Sequence, residues 1–160
     1  MNTGQSLLAI GAMMLLTLVS LNFNSSVLQN TTVETENKVY LTAFSLADDL
    51  IEEIKQKAFD EKTIDFQAIA ENQLTLPLGS EAGEVWPNFN DIDDYQNYSK
   101  PVSLPHVEDY TVTCQVNYAN SSGQNKLSQS YFKKVTITVT SKYMSSPLYL
   151  KFIFSLHSKN

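Results

Sequence analysis

The chain has 160 residues, 42% of them hydrophobic, with 17 acidic against 11 basic side chains, giving a formal net charge of −6 and a pI near 4.8. That balance, without any basic stripe, argues against nucleic acid as a primary partner. A single cysteine excludes an intrachain disulfide, and the lack of Gly-rich phosphate loops and of Cys or His pairs removes nucleotide and zinc chemistry.

No charged side chain precedes Glu34, and an apolar run extends from Leu7 to Leu21 (LLAIGAMMLLTLVSL). Those roughly 15 residues cover about 22 Å as a helix, short of the ~30 Å hydrocarbon layer. Uncharged Asn22, Asn24, Ser25 and Ser26, interleaved with Phe23, Val27 and Leu28, lengthen the span to Gln5–Leu28 at modest cost. Residues 1–28 therefore read as an apolar membrane or filament-core helix. A secretory signal and a plain single-pass anchor are the competing readings. No Lys or Arg precedes the run and no small-x-small site closes it, which weighs against a signal. The missing basic residues fit a chain whose basic leader has been removed, with Met1 then the mature N-terminus.

Residues 29–60 read as an amphipathic continuation of the same helix, with neither Pro nor Gly before about Phe59. Val39, Tyr40, Ala43, Phe44, Ala47, Leu50, Ile51, Ile54 and Ala58 recur at intervals of three and four, which places them on one face. Asp48, Asp49, Glu52, Glu53, Lys55 and Lys57 fill the other, with Glu53 and Lys57 spaced as a favourable i,i+4 pair. Asn, Ser and Thr cluster at Ser20–Ser26 and Asn30–Thr35, where any soft spot in the helix is expected. A rod of about 55 residues runs near 80 Å. A head of roughly 100 residues cannot bury it, so its first half needs lipid or further copies of itself.

Residues 61–160 read as a β-rich head. Pro77, Gly79, Gly83, Pro87, Pro101 and Pro105 punctuate a mostly irregular stretch from Leu74 to His106. Clean alternation then predicts strands at Tyr110–Tyr118, Tyr131–Tyr143 and Leu148–Ser158, with turns at Asn120–Gln124 and around Pro147. Two successive hairpins make an antiparallel meander, and the amphipathic helix is the natural cover for its apolar face. The fold class is α+β, a long N-terminal helix whose apolar half protrudes and whose amphipathic half packs on an antiparallel sheet of three or four strands.

We assign no catalytic, cofactor-binding or metal residue. His106 and His157 have no acid or nucleophile arranged around them, so the chain is not expected to be an enzyme. Asp91, Asp93 and Asp94, beside Asn88 and Asn90, offer the oxygen ligands Ca²⁺ takes. Without a turn glycine or a closing Glu, the loop reads instead as Asx turns and solvated surface. Lys133 and Lys134 read as solubilising charges on an edge-like strand. Cys114 shares a strand face with Val112 and Val116 and is expected to be buried. Asn24, Asn30, Asn97 and Asn120 match the Asn-x-Ser/Thr pattern, at the frequency chance gives in so Asn- and Ser-rich a chain.

The charge-free apolar helix, its amphipathic extension, the Asn90-Asp-Ile-Asp-Asp-Tyr95 loop and the final Tyr-Thr-Val-Thr and Phe-Lys-Lys-Val-Thr-Ile-Thr-Val-Thr strands together resemble the type IV pilins. The nearest echo is the minor pilins of the mannose-sensitive haemagglutinin pilus, which have a similar Asp-rich loop before a final sheet. Pilins usually carry a glutamate at the fifth mature position. Here Gln5 stands there, or Ala9 if the chain is cut after Gly4, and neither offers charge pairing to a buried N-terminal amine. The C-terminal disulfide loop of many pilins is also missing. The resemblance implies a structural subunit of a type IV pilus-like extracellular helical filament, held in the cytoplasmic membrane before assembly and handled by pilus assembly machinery. It then polymerises with copies of itself. A minor or priming pilin, a pseudopilin of a secretion machine, and a membrane-anchored periplasmic binding module are the alternatives.

Overall fold

The computed structural model describes residues 2–65, 68, 70–104 and 107–156; of Leu104, Val107 and Glu108 only the backbone is described. His106, His157 and the end of the expected last strand lie outside the described residues. A single helix, α1, runs from Thr3 to Lys55, and the chain divides into two compact units, Met1–Lys38 and Val39–Asn160.

In the first unit every described residue is exposed except half-buried Ser6. The helix is unbroken through both Asn/Ser/Thr clusters. Thr31 and Thr35 donate to carbonyls one turn back, Val27 O at 2.8 Å and Thr31 O at 2.9 Å, so these hydroxyls find partners inside the helix instead of opening it. Glu34, the first charged side chain, pairs with Lys38 at 2.7 Å.

The second unit is an α+β domain. Its sheet is a four-stranded antiparallel meander in the order β1 (Ser99–Leu104), β2 (Val107–Ala119), β3 (Phe132–Ser141), β4 (Leu148–Ser155). Alternation sends Tyr110, Val112, Cys114, Val116 and Tyr118 of β2 to one face, opposite Val135, Ile137 and Val139 of β3. The helix residues that cover this face are Val39, Ala43, Ala47, Leu50, Ile51 and Ile54, the expected stripe without its flanks. Small side chains at Ala43 and Ala47, both fully buried, leave room for a closely approaching sheet. Of the flanking residues, Phe44 stays exposed, while Tyr40 exchanges hydrogen bonds with Ser146 in the β3–β4 turn, accepting from its N at 3.0 Å and donating to its O at 3.1 Å. β1 lies in the stretch expected to be mostly irregular.

The helix stops at Lys55, a turn before the sequence suggests. Gln56 and Lys57 close it with tighter i→i+3 bonds, and the Ala58 N–H is captured by Asn90 O at 3.1 Å while Ile92 N donates back to Ala58 O at 3.0 Å. That tertiary exchange replaces the next intrahelical bonds. It also removes the expected Glu53–Lys57 pair: Glu53 Oε1 accepts from Tyr95 Oη (2.6 Å) and Trp86 Nε1 (3.1 Å), and Lys57 Nζ donates to Phe89 O (2.6 Å). A four-residue helix, α2 (Glu61–Ile64), follows, capped by the Asp60 carboxylate.

Candidate functional site

Two features carry chemistry. The first is the surface of α1 within Met1–Lys38, where Leu7, Leu8, Met13, Leu16 and Phe23 are each about 70% exposed or more. α1 is long and apolar enough to cross a membrane, and no residue of its apolar window is buried. Thr17 donates to Met13 O at 2.8 Å, so that hydroxyl of the apolar run has a partner without water.

The second feature is a buried charge cluster that overturns two sequence expectations. Lys133 is not a surface charge on an edge. It occupies the inward series of β3, Lys133-Val135-Ile137-Val139, directly opposite Tyr118, and is fully buried on a strand with neighbours on both sides. Its ammonium donates to Phe59 O (2.6 Å), Asp60 Oδ2 (2.9 Å) and Asp93 Oδ1 (2.5 Å), using all three protons. The rings of Phe59 and Tyr118 lie 4.8 and 5.6 Å from it. Lys134, one residue on, faces the opposite side of the sheet and donates to Gly123 O.

The acidic loop is likewise not a solvated surface. Asp91 and Asp93 are fully buried and Asp94 is 3% exposed. The Asx turns are present: Asp91 Oδ1 accepts from Asp93 N (2.8 Å) and Asp94 N, and Asp94 Oδ2 accepts from Asn90 N (2.8 Å) and Asp91 N. What the sequence hid is the partner. A lone inward lysine 40 positions away supplies the cation that makes burial of the loop tolerable.

The electrostatics divide the carboxylates. Burial works against the charged form of Asp60, yet the Lys133 ammonium and the Thr75 hydrogen bonds outweigh it and hold that carboxyl below its ordinary value. For Asp91 burial, reinforced by the charge of Asp93, pushes the carboxyl up to about 8. Asp93 is also raised, by burial first, with Lys133 opposing. The Oδ2 atoms of Asp91 and Asp93 are buried without a hydrogen-bond partner, and that loss of solvation is the physical source of the upward shifts. Nearby, Glu61, Glu81 and Glu84 each bring an oxygen to within 4.8 Å of the others; none of the three stands out in the sequence.

Cys114 is fully buried, and that burial pushes its thiol up to about 12, as expected of a small apolar core residue. Of the Asn-x-Ser/Thr positions, Asn24, Asn30 and Asn97 are exposed, whereas the Asn120 amide is engaged in the β2–β3 turn, accepting from Ser122 N, Ser122 Oγ and Gln124 N. The signal that leads to Lys133 is in the sequence: the alternation of Val135, Ile137 and Val139 continues to it. No protein-family model, curated protein or solved structure matches the chain.

Proposed function

We propose that the chain is a structural subunit of a pilus-like helical filament, inserted in the cytoplasmic membrane through the first part of α1 before assembly and packed against copies of itself through the same surface afterwards. The observation that carries this reading is a change in burial along one helix. Up to Lys38 the apolar side chains of α1 are exposed, and from Val39 onward one stripe of them, Val39, Ala43, Ala47, Leu50, Ile51 and Ile54, builds the core of the second unit. An apolar surface of that extent, with no charge before Glu34, needs lipid or protein around it. Lipid and neighbouring helices are similarly apolar, so exchanging one for the other yields packing contacts and multiplicity rather than hydrophobic transfer. Repeated head-to-tail contacts that do not close give an open fibre.

A second reading, a permanent single-pass anchor carrying an extracytoplasmic binding module, is favoured by Gln5, which brings no charge to pair with a neighbour's amine. Neither role involves catalysis. Electron microscopy and immunoblotting of sheared surface material separate the two. Fibres containing this chain support the filament subunit, abundant ones a major and sparse ones a minor component. Strict retention in the membrane fraction sinks the filament reading.

A further inference from the structure

Lys133 Nζ and Asp93 Oδ1 are 2.5 Å apart, and both side chains are fully buried. That is closer than the ordinary charge-assisted contact of about 2.7–2.9 Å. An amine and a carboxyl so placed are the two halves of an amide. Two carboxylates touch the ammonium, and their surroundings set them apart. Asp60 is saturated: its Oδ1 accepts from Lys62 N, Thr75 N and Thr75 Oγ1, and its Oδ2 accepts from Tyr118 Oη at 3.2 Å as well as from Lys133. Asp93 is not. Its Oδ2 is buried with no hydrogen-bond partner, so nothing stabilises negative charge on that oxygen. Accordingly the Asp60 carboxyl is held below its ordinary value, whereas burial raises that of Asp93. One nitrogen therefore meets a base, Asp60, and a carboxyl that favours its neutral acid form, Asp93, while the rings of Phe59 and Tyr118 lie around it.

We propose that Lys133 and Asp93 condense to an intramolecular isopeptide bond between Nζ and Cγ, with Asp60 as the base. The proton lying between Nζ and Asp93 Oδ1 passes to Oδ1, which leaves a carboxylic acid and a nitrogen lone pair directed at it. Nitrogen attacks Cγ and the carbonyl π pair moves onto Oδ2. Asp60 takes one of the two remaining Nζ protons and gives it to the departing Oδ1 hydroxyl, the Cγ–Oδ1 bond breaks, and the electron pair on Oδ2 re-forms the carbonyl. One ammonium and one carboxylate give one amide and one water; nothing is oxidised or reduced, and Asp60 is returned unchanged. The last proton on nitrogen keeps its hydrogen bond to Phe59 O. Fixed neighbours of this kind react as if at effective concentrations of roughly 10⁵–10⁸ M, and the product removes two charges from a low-dielectric interior. Condensation starts from the ion-paired cluster, so a chain not yet condensed keeps all three hydrogen bonds of Lys133. The bond ties the acidic loop to β3. It stands apart from the filament reading, since all three residues belong to the second unit.

Intact-mass spectrometry of the full chain, folded in detergent micelles, reads the bond directly. A mass about 18 Da below that of the sequence is expected, the loss of one water. Tryptic digestion is expected to release a branched peptide that joins Asp93 to Lys133 and is uncut after Lys133. Chain recovered in urea and then refolded should start at full mass and lose the water with time. Lys133→Arg, which keeps a cation, should stay at full mass, and Asp60→Asn should lose water at least about tenfold more slowly than the wild type because its base is gone. Folded wild-type chain that keeps its full mass overturns the proposal. So does a water lost at any other pair, Lys133 with Asp60 included, or a loss that persists in Lys133→Arg. An undiminished rate in Asp60→Asn overturns the assignment of the base.

Discussion

Replacing Lys133 by Met isolates the worth of a buried cation, because Met retains the length of the lysine stem while deleting its ammonium. Three hydrogen bonds are lost, to Phe59 O, Asp60 Oδ2 and Asp93 Oδ1, at 2.6, 2.9 and 2.5 Å. Charge-assisted bonds contribute about 1.5–3 kcal/mol each, roughly 5–9 kcal/mol together. Against this the variant no longer desolvates an ammonium, which returns several kcal/mol. The remaining loss is about 3–5 kcal/mol, the range found when one partner of a buried pair is removed. Asp60 suffers most, since it is held below its ordinary pKa largely by this lysine and pairs with no other cation among the described residues. Urea unfolding of the full chain, taken before condensation and followed by Trp86 fluorescence, should show a lower midpoint with an unchanged slope, and Tm should fall by roughly 10–20 °C. Adding Asp93→Asn to Lys133→Met should cost less than the sum of the single changes by at least about 1.5 kcal/mol. A single-variant loss below about 1 kcal/mol, or additive behaviour in the pair, refutes the reasoning.

Asp91→Asn should change stability at neutral pH by no more than about 1 kcal/mol, since the raised carboxyl is already neutral there and an amide keeps the acceptor used by the Asp93 and Asp94 N–H groups; denaturant midpoints check this. Gly123→Ala should destabilise by roughly 1–3 kcal/mol, because the residue sits at φ +78° and an added Cβ would come within 2.8 Å of Ile153 Cδ1. Trimming that atom with Ile153→Val should restore part of the loss, the backbone share remaining. Cys114 should stay unmodified by iodoacetamide at pH 8 over hours in the folded protein and react fully in urea, as mass spectrometry will show. Leu15→Lys, which adds about 2.5–3.5 kcal/mol to insertion near the centre of the apolar run, should shift the chain out of the membrane fraction.

Local patterning determined the elements. The three-and-four spacing from Val39 to Ile54 fixes the covering helix face, and the alternation in Tyr110–Tyr118, Tyr131–Tyr143 and Leu148–Ser158 fixes three strands, because burial on one face imposes the period of the backbone. The exposed apolar start of α1 was legible for the same reason. What periodicity cannot carry is which distant group meets which. Lys133 and the carboxylates of Asp60 and Asp93 are separated by 73 and 40 positions, and each alone has the composition of a surface residue. Only the sheet register, which places Lys133 opposite Tyr118, and the Ala58–Asn90 exchange, which draws the acidic loop under the helix end, bring them into one dry space where they neutralise one another. The early stop of α1, the rerouting of Glu53 and Lys57, and the gathering of Glu61, Glu81 and Glu84 follow from those long-range contacts. Local propensity offers the helix and the loop; the low dielectric of the core decides that charges within it must find partners, and tertiary structure alone chooses which.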